Sequence, residues 1–161
     1  AHAYINRHRR FFSETAHVVG TLVSPTTLAA LLDRAAGAGA AVLFRSDRDG
    51  ARGLPPLAEL AWNHTTLRAL KVDPSLTYLQ VLYPSVAAAI DAADRFADTC
   101  FAHLEFTRFA GKLTCLGVPL VRLDDADAIE ALIVAHEAAG LTVFNPHRYT
   151  LEEGGMKQPD P

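Results

Sequence analysis

At 161 residues, half of them apolar, the chain is long enough to bury one ordinary core, which excludes a disordered segment. Fifteen basic against eighteen acidic residues leave a formal net charge of -3, so no electrostatic footprint for nucleic acid or an anionic membrane is present. Apolar runs are short and interrupted by charge, and the opening AHAYINRHRRFF lacks the apolar core of a signal peptide; the chain is expected to be cytoplasmic, with neither nucleic acid nor membrane as partner.

In chain order, AHVVGTLV (16–23) predicts a strand. Ser24-Pro25 then forms an N-cap followed by proline at the first helical position, opening a helix in which Leu28, Leu31 and Leu32 recur at helical spacing. AAVLFRS (40–46) returns as a strand, and the glycines, prolines and charges of DRDGARGLPP mark a loop. A helix is expected over 57–72, with Leu57, Leu60, Ala61, His64 and Leu67 on one face, until Asp73-Pro74 stops it.

The second half has a clearer rhythm. SLTYLQVLY is a strand, VAAAIDAADRFAD a helix capped by Ser85, and CFAHLEFTRF and KLTCLGVPLVRL are strands joined by a tight turn at Ala110-Gly111. DADAIEALIVAHEAAG is a helix and LTVFNP a closing strand. That order is βαββαβ, the ferredoxin-like unit. The fold class is therefore α+β, a largely antiparallel sheet with helices on one face, preceded by a βαβ-type segment. All of it is expected in a single domain, with the βαβ-type segment over 1–54 and the ferredoxin-like part with its tail over 55–161.

A turn at Ala110-Gly111 sets the hairpin register, placing Cys100 opposite Val121 and Cys115 opposite Phe106. The two cysteines are then too far apart for a disulfide and read as free, buried thiols. Strand alternation puts Phe101, His103, Glu105, Thr107 and Phe109 on one face. Ala102, Leu104, Phe106 and Arg108 fall on the other, which is expected to lie under helices, with Arg108 paired to a helix carboxylate. The helix-free face mixes aromatic rings with a histidine, a glutamate and hydroxyls, and Tyr78 and Gln80 join it from a neighbouring strand. A composition of that kind suits a sheet that covers a ligand or another domain, the alternative being a plain solvated sheet face.

His103 and Glu105, two apart on one strand, suit a general base with its orienting carboxylate, a clamp for a substrate hydroxyl, or a polar pair closed off by a neighbouring domain. His147, with Arg148 and Tyr149, follows Asn145-Pro146, which ends ladder pairing and frees these side chains to reach a ligand. His147 reads either as a further catalytic group or as a loop histidine satisfied by backbone. Thr107, together with Asn63 and His64 in mid-helix, completes the candidate binding set, while His136 is assigned to an amphipathic helix with no catalytic role.

The phrases ELAWNHTTLRALKVDPSLTYLQ, AHLEFTRFAGKLTC and VFNPHRYTLEEGGMKQPDP resemble the C-terminal, substrate-side region of FAD-linked oxidases of the vanillyl-alcohol oxidase / p-cresol methylhydroxylase superfamily, over Leu54 to Pro161. In that superfamily a separate domain binds FAD, and a cap domain with an antiparallel sheet lies over the isoalloxazine ring and shapes the substrate pocket. The resemblance implies an oxidoreductase acting on an alcohol or hydroxy acid, with His103, Glu105 and His147 in catalysis. Tyr78, Gln80, Thr107, Arg148, Tyr149, Asn63 and His64 would bind substrate.

The sequence contains no glycine-rich phosphate loop, no LLNPGK-like closing phrase and no HGHxGDGN-like metal phrase. The chain is accordingly expected to be an excised or fragmentary cap domain that uses FAD in the full-length protein, does not hold FAD alone and needs no metal. Its expected partners are the FAD-binding domain of the same polypeptide, a small-molecule substrate, and a second copy through the open sheet face. The alternative from a different class is a non-catalytic ferredoxin-like module for ligand binding or dimerisation.

Overall fold

The computed structural model describes residues 19–46, 48, 50, 56–62, 64–109, 111–122 and 126–146. These fall into two compact units, divided between Leu60 and Ala61.

In the first unit, α1 spans Pro25–Gly37 and begins as its sequence dictates: the Ser24 hydroxyl accepts the Thr27 N–H at 3.2 Å, and Pro25 supplies a preset φ where no N–H is needed. A single 3₁₀ turn follows at Leu57–Leu60. Of the strands expected around α1, residues 19–23 and 40–46 join no ladder, and residues 16–18 lie outside the described residues. Their β-branched and leucine content is a local preference, whereas a strand also requires a partner backbone, and one helix with two short strands is a marginal sheet. Val19 and Leu22 are accordingly 74% and 86% exposed.

The helix expected over 57–72 is interrupted, because Trp62 adopts a left-handed φ of +48°, and only α2, His64–Leu70 in the second unit, is a regular helix. Its buried residues are Thr65, Thr66 and Ala69, while Leu67 is exposed, so the inward face differs from the one that an unbroken helix would present. The Asp73 carboxylate then accepts both the N–H and the hydroxyl of Ser75, at 3.0 and 2.6 Å, and turns the chain. These bonds hold the Asp73 carboxyl below its ordinary range.

The remaining elements are β1 (Leu76–Tyr78), β2 (Gln80–Tyr83), α3 (Val86–Arg95), β3 (Cys100–Phe101), β4 (Leu104–Phe109), β5 (Lys112–Gly117), β6 (Leu120–Arg122), α4 (Ala126–Ala138) and β7 (Thr142–Phe144). Ser85 caps α3 by accepting the Ala88 N–H at 3.1 Å, and Gly111 takes the positive φ of +78° that the β4–β5 turn needs. The α+β expectation holds, in two antiparallel sheets ordered β1-β6-β3 and β4-β5-β2-β7. The second order is that of a ferredoxin-like sheet. Three long strands break, at Leu79, at Ala102-His103 and at Val118-Pro119, yet one register runs through each break. Leu76 pairs with Arg122 and Val81 with Gly117; Cys100 pairs with Val121 and Leu104 with Gly117. Two bonds span the gap, Leu79 N–H to Pro119 O at 3.1 Å and Val118 N–H to His103 O at 3.0 Å.

On one face, Leu79, Val81, Tyr83, Cys100, Cys115 and Val143 pack against Ala89, Ala92 and Phe96 of the α3 segment and Ile129 of α4. Both cysteines are free and buried, opposite Val121 and Phe106 as the turn predicted. Leu104 packs against this core, but Phe106 is 55% exposed rather than covered, because β4 is the edge strand while α3 packs on β5 and β2, and α4 on β7. Arg108 is exposed on the same side. On the opposite face α2 packs against β1, and Val118 and Leu120, which alternate toward that side, are closed to solvent.

His136 lies on a helix as expected, and its side chain is enclosed in the core. It is 1% exposed, stacked on Phe96 with ring centroids 3.8 Å apart, and its Nδ1–H donates to Leu132 O at 2.8 Å. Burial pushes its pKa below the ordinary 6.5, and the Arg95 guanidinium, 5.5 Å from the Phe96 ring centroid, acts in the same direction. The folded ring therefore stays neutral while the unfolded chain takes up a proton near pH 6.5, so stability is full above about pH 7 and declines as pH falls toward the folded value. Denaturant titrations between pH 7.5 and 5 are expected to show this loss, with a slope of at most about 1.4 kcal/mol per pH unit from this group, and His136→Phe is expected to flatten it.

Gly117 yields a second prediction. A Cβ at this position would meet Tyr83 Cε2 at 2.6 Å, and Tyr83 is itself buried, so the ring has no open space to retreat into. Gly117→Ala is expected to cost about 1–3 kcal/mol in urea unfolding, and the added change Tyr83→Leu to recover part of it.

Candidate functional site

Strand alternation and the ladder break together create a polar constellation on the face opposite the α3/α4 core. His103 stands just before β4, at the break, and Glu105 is the second residue of β4. His103 Nε2 lies 2.9 Å from Glu105 Oε1, with 16% of the imidazole side chain and 31% of the carboxylate side chain exposed. The same Oε1 also accepts the main-chain N–H of Trp62. A carboxylate can only accept, so Nε2 carries the hydrogen of the shared bond. In the neutral ring the lone pair then resides on Nδ1, and the pair can take a proton from a weak acid while the carboxylate compensates the imidazolium that results.

Of the other residues singled out in the sequence, Thr107 follows Glu105 on the same face and is exposed, opposite Thr114. The Thr114 hydroxyl is turned inward and donates to Tyr83 O at 2.9 Å. Tyr78 and Gln80 share this face and are half-buried; the register carries Gln80 beside Val118, whose other neighbour is His103, a backbone separation of two strand spacings or about 10 Å. His64 is exposed at the first position of α2 rather than in mid-helix. Asn63, His147, Arg148 and Tyr149 lie outside the described residues. No cluster of three metal-ligating side chains occurs among the described residues.

Trp62 was absent from the candidate set. Its contribution is a backbone donor at a left-handed φ, and neither property has a sequence signal, since tryptophan has no preference for that conformation. The two thiols play no part: burial pushes Cys115 up to about 11 and Cys100 upward as well, which keeps both protonated and poor nucleophiles at neutral pH.

Neither protein-family models nor curated proteins give any match to this chain.

The shared oxygen of Glu105 gives a stability prediction. Glu105→Ala strands the Trp62 N–H and the His103 Nε2–H together, and is expected to cost about 1–2 kcal/mol in urea unfolding. His103→Ala leaves the Trp62 bond in place and is expected to cost less than half as much.

Proposed function

We propose that this chain is the substrate-side, cap domain of an FAD-linked oxidoreductase of the vanillyl-alcohol oxidase / p-cresol methylhydroxylase type, acting on an alcohol or hydroxy acid. The observation that carries the proposal is the His103–Glu105 pair, partly open to solvent on the face away from the core, on a ferredoxin-like unit of the kind such a cap uses. The sequence phrases described above add to it. The N-termini of α1 and α3 are closed by their own serine hydroxyls. In this reading the chain supplies the ring side of the flavin and its substrate, and the phosphates would be held by an FAD-binding domain of the same polypeptide.

When bound, the flavin supplies a two-electron acceptor. The work of this chain is to handle the substrate. His103 Nδ1 takes the proton from the substrate hydroxyl as the carbinol C–H bond is lost, and Glu105 stabilises the imidazolium formed. Thr107, exposed on the same face, is assigned as a donor to the substrate oxygen. Arg148 is assigned to a substrate carboxylate by charge, with Tyr149 and His147 beside it, and Tyr78, Gln80, Asn63 and His64 to the pocket wall.

One observation favours the second reading, a non-catalytic module that binds a ligand or a second copy: Phe101 and Phe106 are 54% and 55% exposed on opposite faces of the edge ribbon. The two readings separate by mutation. In the flavin-loaded protein, His103→Ala and Glu105→Gln are each expected to lower kcat by about 100-fold with folding unchanged. Wild-type turnover in both would remove the pair from the mechanism, and a dimer in sedimentation that Phe101→Ser dissociates would then favour the module.

A further inference from the structure

We infer that Trp62 is a positioning residue of this site and acts through its main chain, not its indole. It is the one non-glycine residue with a left-handed φ among the described residues, a conformation that side chains with a Cβ resist. In an unbroken helix through 57–72 its N–H would point along the axis to the carbonyl four residues back. In the structure the helical path ends at Trp62, at the left-handed φ, and its N–H donates to Glu105 Oε1, on a strand 43 positions away in sequence. His103 Nε2 reaches the same oxygen. An oxygen held by two donors keeps the carboxylate on a fixed line, and a fixed carboxylate sets both the plane of the imidazole and the nitrogen that carries its proton. The disfavoured backbone at residue 62 is thus tied to which nitrogen of His103 is free to accept a proton. This inference rests on the acid–base reading of the pair only for its consequence in turnover; the hydrogen bond and its effect on the ring can be measured without flavin.

The test uses NMR on the 161-residue chain, with turnover of the flavin-loaded protein as a second arm. Exchange of the residue 62 amide is expected to accelerate at least about tenfold in Glu105→Ala relative to the neighbouring amides of α2, as a donor that loses its acceptor should. Trp62→Gly keeps the N–H and accepts a positive φ, so it is expected to retain slow exchange and a single Nε2–H tautomer in the ¹⁵N spectrum of His103. Trp62→Val, whose β-branched side chain resists that φ, is expected to lose both and to lower kcat about tenfold with KM within about twofold. An amide 62 indifferent to Glu105→Ala, or Trp62→Gly behaving as Trp62→Val, overturns the inference. The Glu105→Ala measurement decides it even where Trp62→Val does not fold. If the spectroscopic changes follow the variants while turnover does not, the positioning stands and the acid–base reading falls.

Discussion

Three of the four strand paths in the second unit are interrupted along a single line, and Pro119 explains where that line runs. It sits in the path that β5 and β6 share, flanked by neighbours on both sides, where each residue would ordinarily give an N–H to the ladder. Proline has none to give, so the ladder lapses there, and its carbonyl is used instead by Leu79. The register survives because the paired segments on either side bury the same alternating faces, and a slip of one residue would turn Leu79, Val81 and Cys115 out of the core. His103 lies on this line. Its carbonyl keeps the adjacent ladder bond from Val118 while its side chain is directed away from the α3/α4 core.

The two faces that this sheet creates differ in what they do to ionisable groups. On the α3/α4 side burial drives the four titratable groups enclosed in the core toward their neutral forms: the Tyr83 phenol and both thiols are pushed up, and the His136 imidazole down. Such groups are held by packing and are unsuited to proton transfer with solvent or substrate. On the opposite face Glu105 is about a third exposed, and its Oε1 accepts from two donors. The two faces thus differ in solvent access and in the hydrogen-bond partners they give their polar groups.

Elements set by nearest neighbours were legible in the linear chain. Ser24-Pro25 and Ser85 cap their helices because a hydroxyl two or three residues upstream can reach an orphan N–H whatever the rest of the protein does. Gly111 turned the β4–β5 hairpin, and with the turn came the whole register, the positions opposite both cysteines, and the shared face of His103, Glu105 and Thr107. Phe106 and His136 were less legible. Phe106 lies on the face that alternation assigns, but β4 is the edge strand and stays bare, while His136 is closed off by Phe96 from outside its own helix, a contact that periodicity does not encode.

The sequence by itself determined the α+β order of the second unit, its caps, its turn and the side of the strand on which the polar pair stands, because these follow from steric and hydrogen-bonding preferences that act within a few residues. Only the tertiary structure decided which apolar segments became strands and where the helix before β1 broke. Residues 40–46 have strand composition but no partner ladder, and composition cannot supply one. The helical pattern through Trp62 was sound over 57–72, yet an acceptor 43 residues away competes for its N–H, and a bond between residues so distant in the chain leaves no trace in local periodicity.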